Sequence, residues 1–166
     1  MRTLVTVKVA TPFGELAIAT EDEVVMASGF MPLDMVIERL GEEVRVKPAG
    51  PRTQVGARDA ALAWASGDLA ALDTVQVRQP GGEFRQAAWR AMREVPPGTT
   101  ITYGRLAAQT GNPRAVRAAG SACSSNLVAP FVPCHRVVSS SGGLGGYLFG
   151  LPIKRAILVH EGAVPA

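Results

Sequence analysis

The sequence predicts an α/β chain in two parts: a small sheet with helix over residues 1–79, then a mostly helical part over 80–166 that contains a helix-turn-helix. Three observations carry this expectation. Alternating apolar residues near the start read as strands, helical spacing dominates after residue 83, and a stretch rich in Gln, Pro and Gly over 73–83 lies between. A length of 166 residues suits one compact domain or two small ones.

Leu4 to Val9 sets Val5, Val7 and Val9 on one side of a strand, and Thr11-Pro12-Phe13-Gly14 supplies a turn. Glu15 to Thr20 returns as a second strand, and Val24 to Ser28 makes a third after the polar turn Glu21-Asp22-Glu23. From Pro32 the spacing of Met35, Val36 and Leu40 is helical, and Gly41 ends the run. Arg45 to Lys47 reads as one more short strand, and the alanine-rich run from Val55 to Ser66 as a helix.

In the second part Phe84, Ala88, Trp89, Met92 and Val95 mark an amphipathic helix that Pro96-Pro97-Gly98 stops. Thr102 is a cap for a helix from Tyr103 to Gln109, which Gly111-Asn112-Pro113 closes. Pro113 then suits the first position of a further helix. This pair of short helices is the expected helix-turn-helix. An apolar segment from Leu127 to Val138, a glycine-rich loop over 142–146 and a last helix near 152–159 complete the chain.

The hydrophobic fraction of 47% and charged fraction of 19% are those of a globular protein. No apolar run approaches the roughly 20 residues of a membrane span. Met1-Arg2-Thr3-Leu4-Val5 lacks the apolar core of a secretory signal, so a cytoplasmic protein is expected. The two cysteines, Cys123 and Cys134, and two histidines, His135 and His160, have no zinc-ligand spacing. Neither a metal nor a cofactor is expected.

Charge is unevenly spread. Residues 1–80 carry eight basic and eleven acidic side chains, net −3, whereas residues 81–166 carry nine basic and three acidic, net +6. A basic half suits a polyanion such as nucleic acid, though a solvated basic face reads the same way.

Cys134 and His135 are neighbours in Pro133-Cys134-His135-Arg136-Val137, so in an extended segment their side chains diverge. A bridging water would still couple thiol and imidazole, and Glu161 is a candidate to orient His135 through its second ring nitrogen. Taken alone, the pair reads first as a core cysteine beside a surface histidine.

The run Pro133 to Val137 resembles the active-site signature of the O6-alkylguanine-DNA alkyltransferase family, and its neighbours agree in spacing over roughly residues 81–166. Phe84 to Trp89 resembles the helix that opens the family's active-site domain, and Thr102-Tyr103-Gly104 the segment with its base-flipping tyrosine. Arg114 to Gly120 is similar to the recognition helix, with Arg117 at the arginine finger. Asn126 matches the hinge asparagine, Gly146-Tyr147 the substrate loop, and Lys154 with His160-Glu161-Gly162 the closing helix. The first part is matched loosely, through Thr11 to Leu16.

The resemblance implies single-turnover transfer of a methyl or small alkyl group from O6-alkylguanine, and by extension O4-alkylthymine, in double-stranded DNA to Cys134. It assigns His135, Glu161, Tyr103 and Asn126 to the chemistry. Arg117, Tyr103, Arg114, Ala115, Ala118 and Gly120 fall to a DNA contact in the minor groove. Val137, Tyr147, Leu148 and Phe149 fall to the substrate pocket, where the carbonyls of Cys134 and Val137 would read the guanine amino group. The alanines also suit plain helix packing.

Two departures stand out. Leu148 and Phe149 replace smaller residues common in relatives, which favours methyl over benzyl-sized groups, and Leu127 follows the hinge asparagine where relatives often have proline. No membrane or obligate protein partner is implied. The rival readings are a non-catalytic alkyltransferase-like protein, which would lack the cysteine, and a helix-turn-helix regulator, which would leave Pro133 to Val137 and Glu161 without a purpose.

Overall fold

The computed structural model describes residues 1–166 as two compact units, Met1–Gln79 with Leu127–Phe131, and Pro80–Asn126 with Val132–Ala166. No helix is long and apolar enough to cross a membrane.

The first unit is built on four strands. β1 (Arg2–Thr11) and β2 (Gly14–Glu21) form an antiparallel hairpin. Thr11 closes its turn: Oγ1 donates to the Gly14 carbonyl (2.6 Å) and accepts from the Phe13 N–H (3.1 Å). β3 (Val24–Gly29) pairs antiparallel with β2, and β4 (Val44–Pro48) pairs parallel with β1, giving the order β3-β2-β1-β4. A parallel edge cannot follow from a hairpin; it needs a crossover, which includes α1 (Leu33–Glu38).

One face of the sheet packs Leu4, Ala17, Ala19, Val24 and Met26 with Val36 of α1. α2 (Gly56–Ala65) buries Ala57, Ala60, Ala61 and Trp64, the i, i+3, i+4, i+7 stripe of a helix resting on a surface. Phe13 stands 5.2 Å from the Trp64 ring. Truncating so buried an indole to alanine costs about 3–5 kcal/mol.

The second unit starts with α3 (Glu83–Glu94), whose Ala88, Trp89, Ala91 and Met92 are buried. Trp89 Nε1 donates to the Ala122 carbonyl (2.9 Å) on α5 (Val116–Ser124), which locks the two helices together. Between them lie β5 (Ile101–Thr102) and α4 (Tyr103–Gln109). β6 (Val137–Val138) pairs parallel with β5, and α6 (Leu151–His160) closes the unit.

Three features differ from the sequence reading. α5 begins at Val116 rather than Pro113, because Asn112 holds a turn: its Oδ1 accepts from the Arg114 N–H (3.2 Å) and its carbonyl from the Ala115 N–H (3.0 Å). Cys134–Arg136 is a short 3₁₀ turn, not extended chain, and strand geometry begins only at Val137. Leu127–Phe131 belongs to the first unit, where Ser28 N–H donates to the Leu127 carbonyl (2.8 Å) and Ser28 Oγ to the Ala129 carbonyl (2.7 Å). No compositional shift marks that excursion. Asn126 spans it, its Nδ2 donating to the Val132 carbonyl (2.8 Å) where the chain rejoins the second unit.

Candidate active site

The second unit gathers its polar buried residues around one turn. Cys134 is 7% exposed and His135 fully buried, with Arg136, Lys154 and Glu161 also inside. Neither Cys134 nor Cys123 is in a disulfide. The parallel β5–β6 pairing sets Ile101 opposite Val137 and Thr102 opposite Val138, so α4, which begins at Tyr103, starts beside the strand that leaves the Cys134 turn, and the Tyr103 hydroxyl interacts electrostatically with Cys134. Thr102 fixes the start of α4, its Oγ1 accepting from the Arg105 N–H (3.2 Å).

Glu161 serves two partners. Its Oε1 lies 2.9 Å from His135 Nε2 and accepts from Arg136 Nε (3.0 Å), while Oε2 accepts from Arg136 Nη2 (2.7 Å). Burial alone would push the carboxyl up, but the bonds from Arg136 and His135 outweigh it and hold Glu161 well below the usual carboxylate range. An ionised carboxylate only accepts, so Nε2 of His135 must carry the hydrogen and Nδ1 the lone pair. Burial lowers the imidazole's proton affinity, partly offset by Glu161, which keeps the ring neutral. The arrangement is therefore a neutral base of fixed tautomer next in sequence to a thiol. Arg136 Nη1 also donates to the Val95 carbonyl (2.7 Å), anchoring the turn to the end of α3.

The glycine-rich loop forms a wall. Gly146 N–H donates to Tyr103 Oη (3.3 Å). Gly145 has φ +75°, and a Cβ there would lie 2.6 Å from Tyr103 Oη, so only glycine lets the loop approach this closely. Burial raises the Tyr103 hydroxyl's pKa, and that of Tyr147 goes well above the ordinary value. The Tyr147 hydroxyl is buried and makes no hydrogen bond within the protein. Phe149 meets the Tyr147 ring edge-on at 5.3 Å, whereas Leu148 is 53% exposed. Of the two bulky residues after Tyr147, Phe149 thus packs on the tyrosine ring while Leu148 faces solvent.

On α5, Arg114 just before it and Arg117 within it are exposed, Ala115, Ala118 and Gly120 half-buried, and Ala119 fully buried. A Cβ on Gly120 would meet nothing within 4 Å, so no contact inside the protein demands glycine there.

Burial at two of the matched positions is not evident from the sequence: Arg136 and Lys154 belong to the basic half by composition, yet they are 2% and 0% exposed. For Lys154 a signal existed: Lys154, Ile157, Leu158 and Glu161 follow the i, i+3, i+4, i+7 spacing of α6's buried side. Arg136 sits in an aperiodic turn and offered none.

A chain from Shigella flexneri named methylated-DNA–protein-cysteine methyltransferase is 34% identical over 164 residues, which cover 93% of this chain and 94% of that one. The chain belongs to that methyltransferase family. The family model described as 6-O-methylguanine DNA methyltransferase, DNA binding domain, matches residues 83–163. A methyltransferase of the same name from Methanosarcina acetivorans is 45% identical over 101 residues, 61% of this chain and 64% of that one, so the chain spans a little under two thirds of that relative's length. The crystal structure of Mycobacterium tuberculosis OGT in complex with DNA superposes with a TM-score of 0.79 at 32% identity, over 99% of this chain and 96% of that one. Membership in the methyltransferase family thus rests on both units, not on the second alone.

Proposed function

We propose that this protein repairs DNA by moving a methyl or small alkyl group from O6-alkylguanine, and by extension from O4-alkylthymine, onto Cys134 in a single turnover. The observation that carries the reading is the buried Cys134-His135-Glu161 cluster, in which the carboxylate fixes the imidazole with Nδ1 as its basic nitrogen.

The target atom lies within a stacked duplex, so the nucleotide must first leave the stack. Arg117 would occupy the vacated space from the minor groove, and small residues Ala115, Ala118 and Gly120 would let α5 approach the DNA closely. That no internal contact requires Gly120 to be glycine supports this reading. Arg114 would contact phosphate. Tyr103 would crowd the backbone and help turn the nucleotide outward.

In the pocket the thiol proton passes through a water to His135 Nδ1. The sulfur attacks the alkyl carbon, the S–C bond forms, the C–O6 bond breaks, and guanine leaves with the electron pair. Tyr103 Oη, which already accepts from Gly146 N–H, keeps its own proton to donate toward ring nitrogen N3 of guanine. The carbonyls of Cys134 and Val137 would accept from the guanine amino group. An unpartnered buried hydroxyl costs about 1–3 kcal/mol, and a bound base in contact with Tyr147 would relieve that. Asn126 would act as the hinge that holds the cysteine turn while the chain leaves and re-enters the unit. A thioether is not reversed by ordinary thiols, so each molecule acts once, and a thiol that must stay reduced suits the cytoplasm.

The test is intact mass spectrometry after incubation with a duplex containing O6-methylguanine. The expected result is a gain of one methylene per chain, mapped to the Cys134 peptide, and no gain for Cys134→Ala, which still binds the duplex. An unchanged mass in the folded, reduced native protein would overturn the proposal.

A further inference from the structure

Buried lysines are rare because stripping water from an ammonium costs several kcal/mol even after the protein relaxes. Lys154 is fully buried on the apolar stripe of α6, where methionine would fill the same space without that cost. Its Nζ donates to the Val137 carbonyl (2.6 Å) and the Gly146 carbonyl (3.1 Å). No carboxylate pairs with it, and the oxygens of Glu161 are committed to Arg136 and His135.

The charges of the buried cluster leave a remainder. Arg136 and Glu161 cancel as a bidentate pair, and His135 is neutral. Tyr103 at the start of α4, Cys123 on α5 and Tyr147 in the loop also interact with Cys134. Burial pushes all three up, so they stay uncharged at neutral pH. Among these groups the one positive charge without an opposite partner is that of Lys154, and the ionised sulfur of Cys134 would match it.

We infer that Lys154 is a positioning residue of the transfer reaction: its ammonium ties the strand after Cys134 to the pocket loop and supplies the countercharge for the ionised sulfur. The inference rests on the alkyl-transfer reading for its purpose, but its physical content does not need DNA. Val137 lies three residues past Cys134, and Gly146 is the residue whose N–H meets Tyr103 Oη, so one side chain sets both walls of the pocket. Burial lowers the proton affinity of Lys154, and the sulfurs of Cys134 and Cys123, when ionised, oppose that effect.

The experiment follows carboxamidomethylation of Cys134 by iodoacetamide against pH, read by mass spectrometry of the Cys134 peptide, in the native protein, Lys154→Met and Lys154→Gln. An opposite charge nearby moves an ionisation midpoint by about one unit or more, so the midpoint in Lys154→Met should rise by at least about one unit. At any pH below both midpoints the reaction should slow about tenfold. Lys154→Gln, which keeps a donor without the charge, should show the same rise. An unchanged midpoint in either variant with native near-UV circular dichroism overturns the inference.

A second measurement needs no variant. Carbon-13 NMR at the lysine Cε of the native protein should show the Lys154 pKa falling once iodoacetamide has capped Cys134, and an unaltered value would count equally against the inference. Neither readout involves DNA. A native protein that fails to take up methyl from the O6-methylguanine duplex would therefore sink the repair reading while leaving the countercharge to be judged by these two results.

Discussion

At the scale of single residues, the Glu161 carboxylate decides most of the site's behaviour, because it fixes the tautomer of His135 and neutralises Arg136 at once. Both shifts that result make the folded protein hold fewer protons than the unfolded chain. For Glu161, held below the usual range, the stabilisation is present above about pH 4.3, the unfolded value, and drains away as pH falls through the folded value. For His135, also shifted down, loss begins as the unfolded imidazole starts to protonate near about pH 6.5. Urea midpoints should therefore decline from about pH 6.5 downward and more steeply below about pH 4.3. Glu161→Gln should remove the steeper limb. At neutral pH it should also cost about 3–5 kcal/mol, since Arg136 is left buried without its anion. A variant with the native stability profile would show that the pair contributes nothing. The carboxylate was legible in the sequence as the partner of His135. Its second partner was not, because Arg136 sits in a turn with no periodicity to mark a buried side.

At the scale of elements, what could be read in advance followed from spacing and punctuation. α4 ran as expected from Thr102 to its close at Gly111, a residue with φ +89° past the helix end. The onset of α5 was misplaced because a proline suits a first helical turn and a turn equally well, and only the side chain of Asn112 settles which. The cysteine turn escaped for a similar reason: Leu127 to Val138 is apolar throughout, and an apolar run does not say whether it is strand, turn or an excursion into another unit. Gly120 makes a prediction for α5. A glycine inside a helix costs about 1 kcal/mol relative to alanine, and the space outside its Cα is open. Gly120→Ala should thus raise the unfolding free energy by about 0.5–1 kcal/mol in denaturant titrations. Gly120→Phe should leave the fold intact yet weaken duplex binding, because its ring would stand where the DNA surface is proposed to lie. Equal duplex affinity for Gly120→Phe and the native protein would remove α5 from the interface.

At the scale of the whole molecule, charge separates the two units more sharply than hydrophobicity does. The first carries eight basic and eleven acidic side chains, the second nine and three. With Arg136, Lys154 and Glu161 buried, the second unit shows outward Arg85, Arg90, Arg93, Arg105, Arg114, Arg117 and Arg155 against Glu83 and Glu94. The basic half inferred from composition is therefore a basic surface, though made of seven side chains rather than nine. Each phosphate contact releases condensed counterions, so the logarithm of duplex affinity should fall linearly with the logarithm of salt concentration. Arg114 and Arg117, only three residues apart, should respond differently. If Arg114 contacts phosphate, Arg114→Ala should lower the salt slope by about one and weaken binding to every duplex alike. If Arg117 fills the gap left by a displaced base, Arg117→Ala should slow methyl transfer from duplex DNA while leaving the reaction with free O6-methylguanine unchanged. Its salt slope should shift less, because an inserted side chain contributes through stacking and occupied space as well as charge. Fluorescence anisotropy across a salt series, paired with transfer rates on the two substrates, separates these roles. Identical losses from both variants on both substrates would mean that the two arginines form one undifferentiated basic patch, with no finger among them.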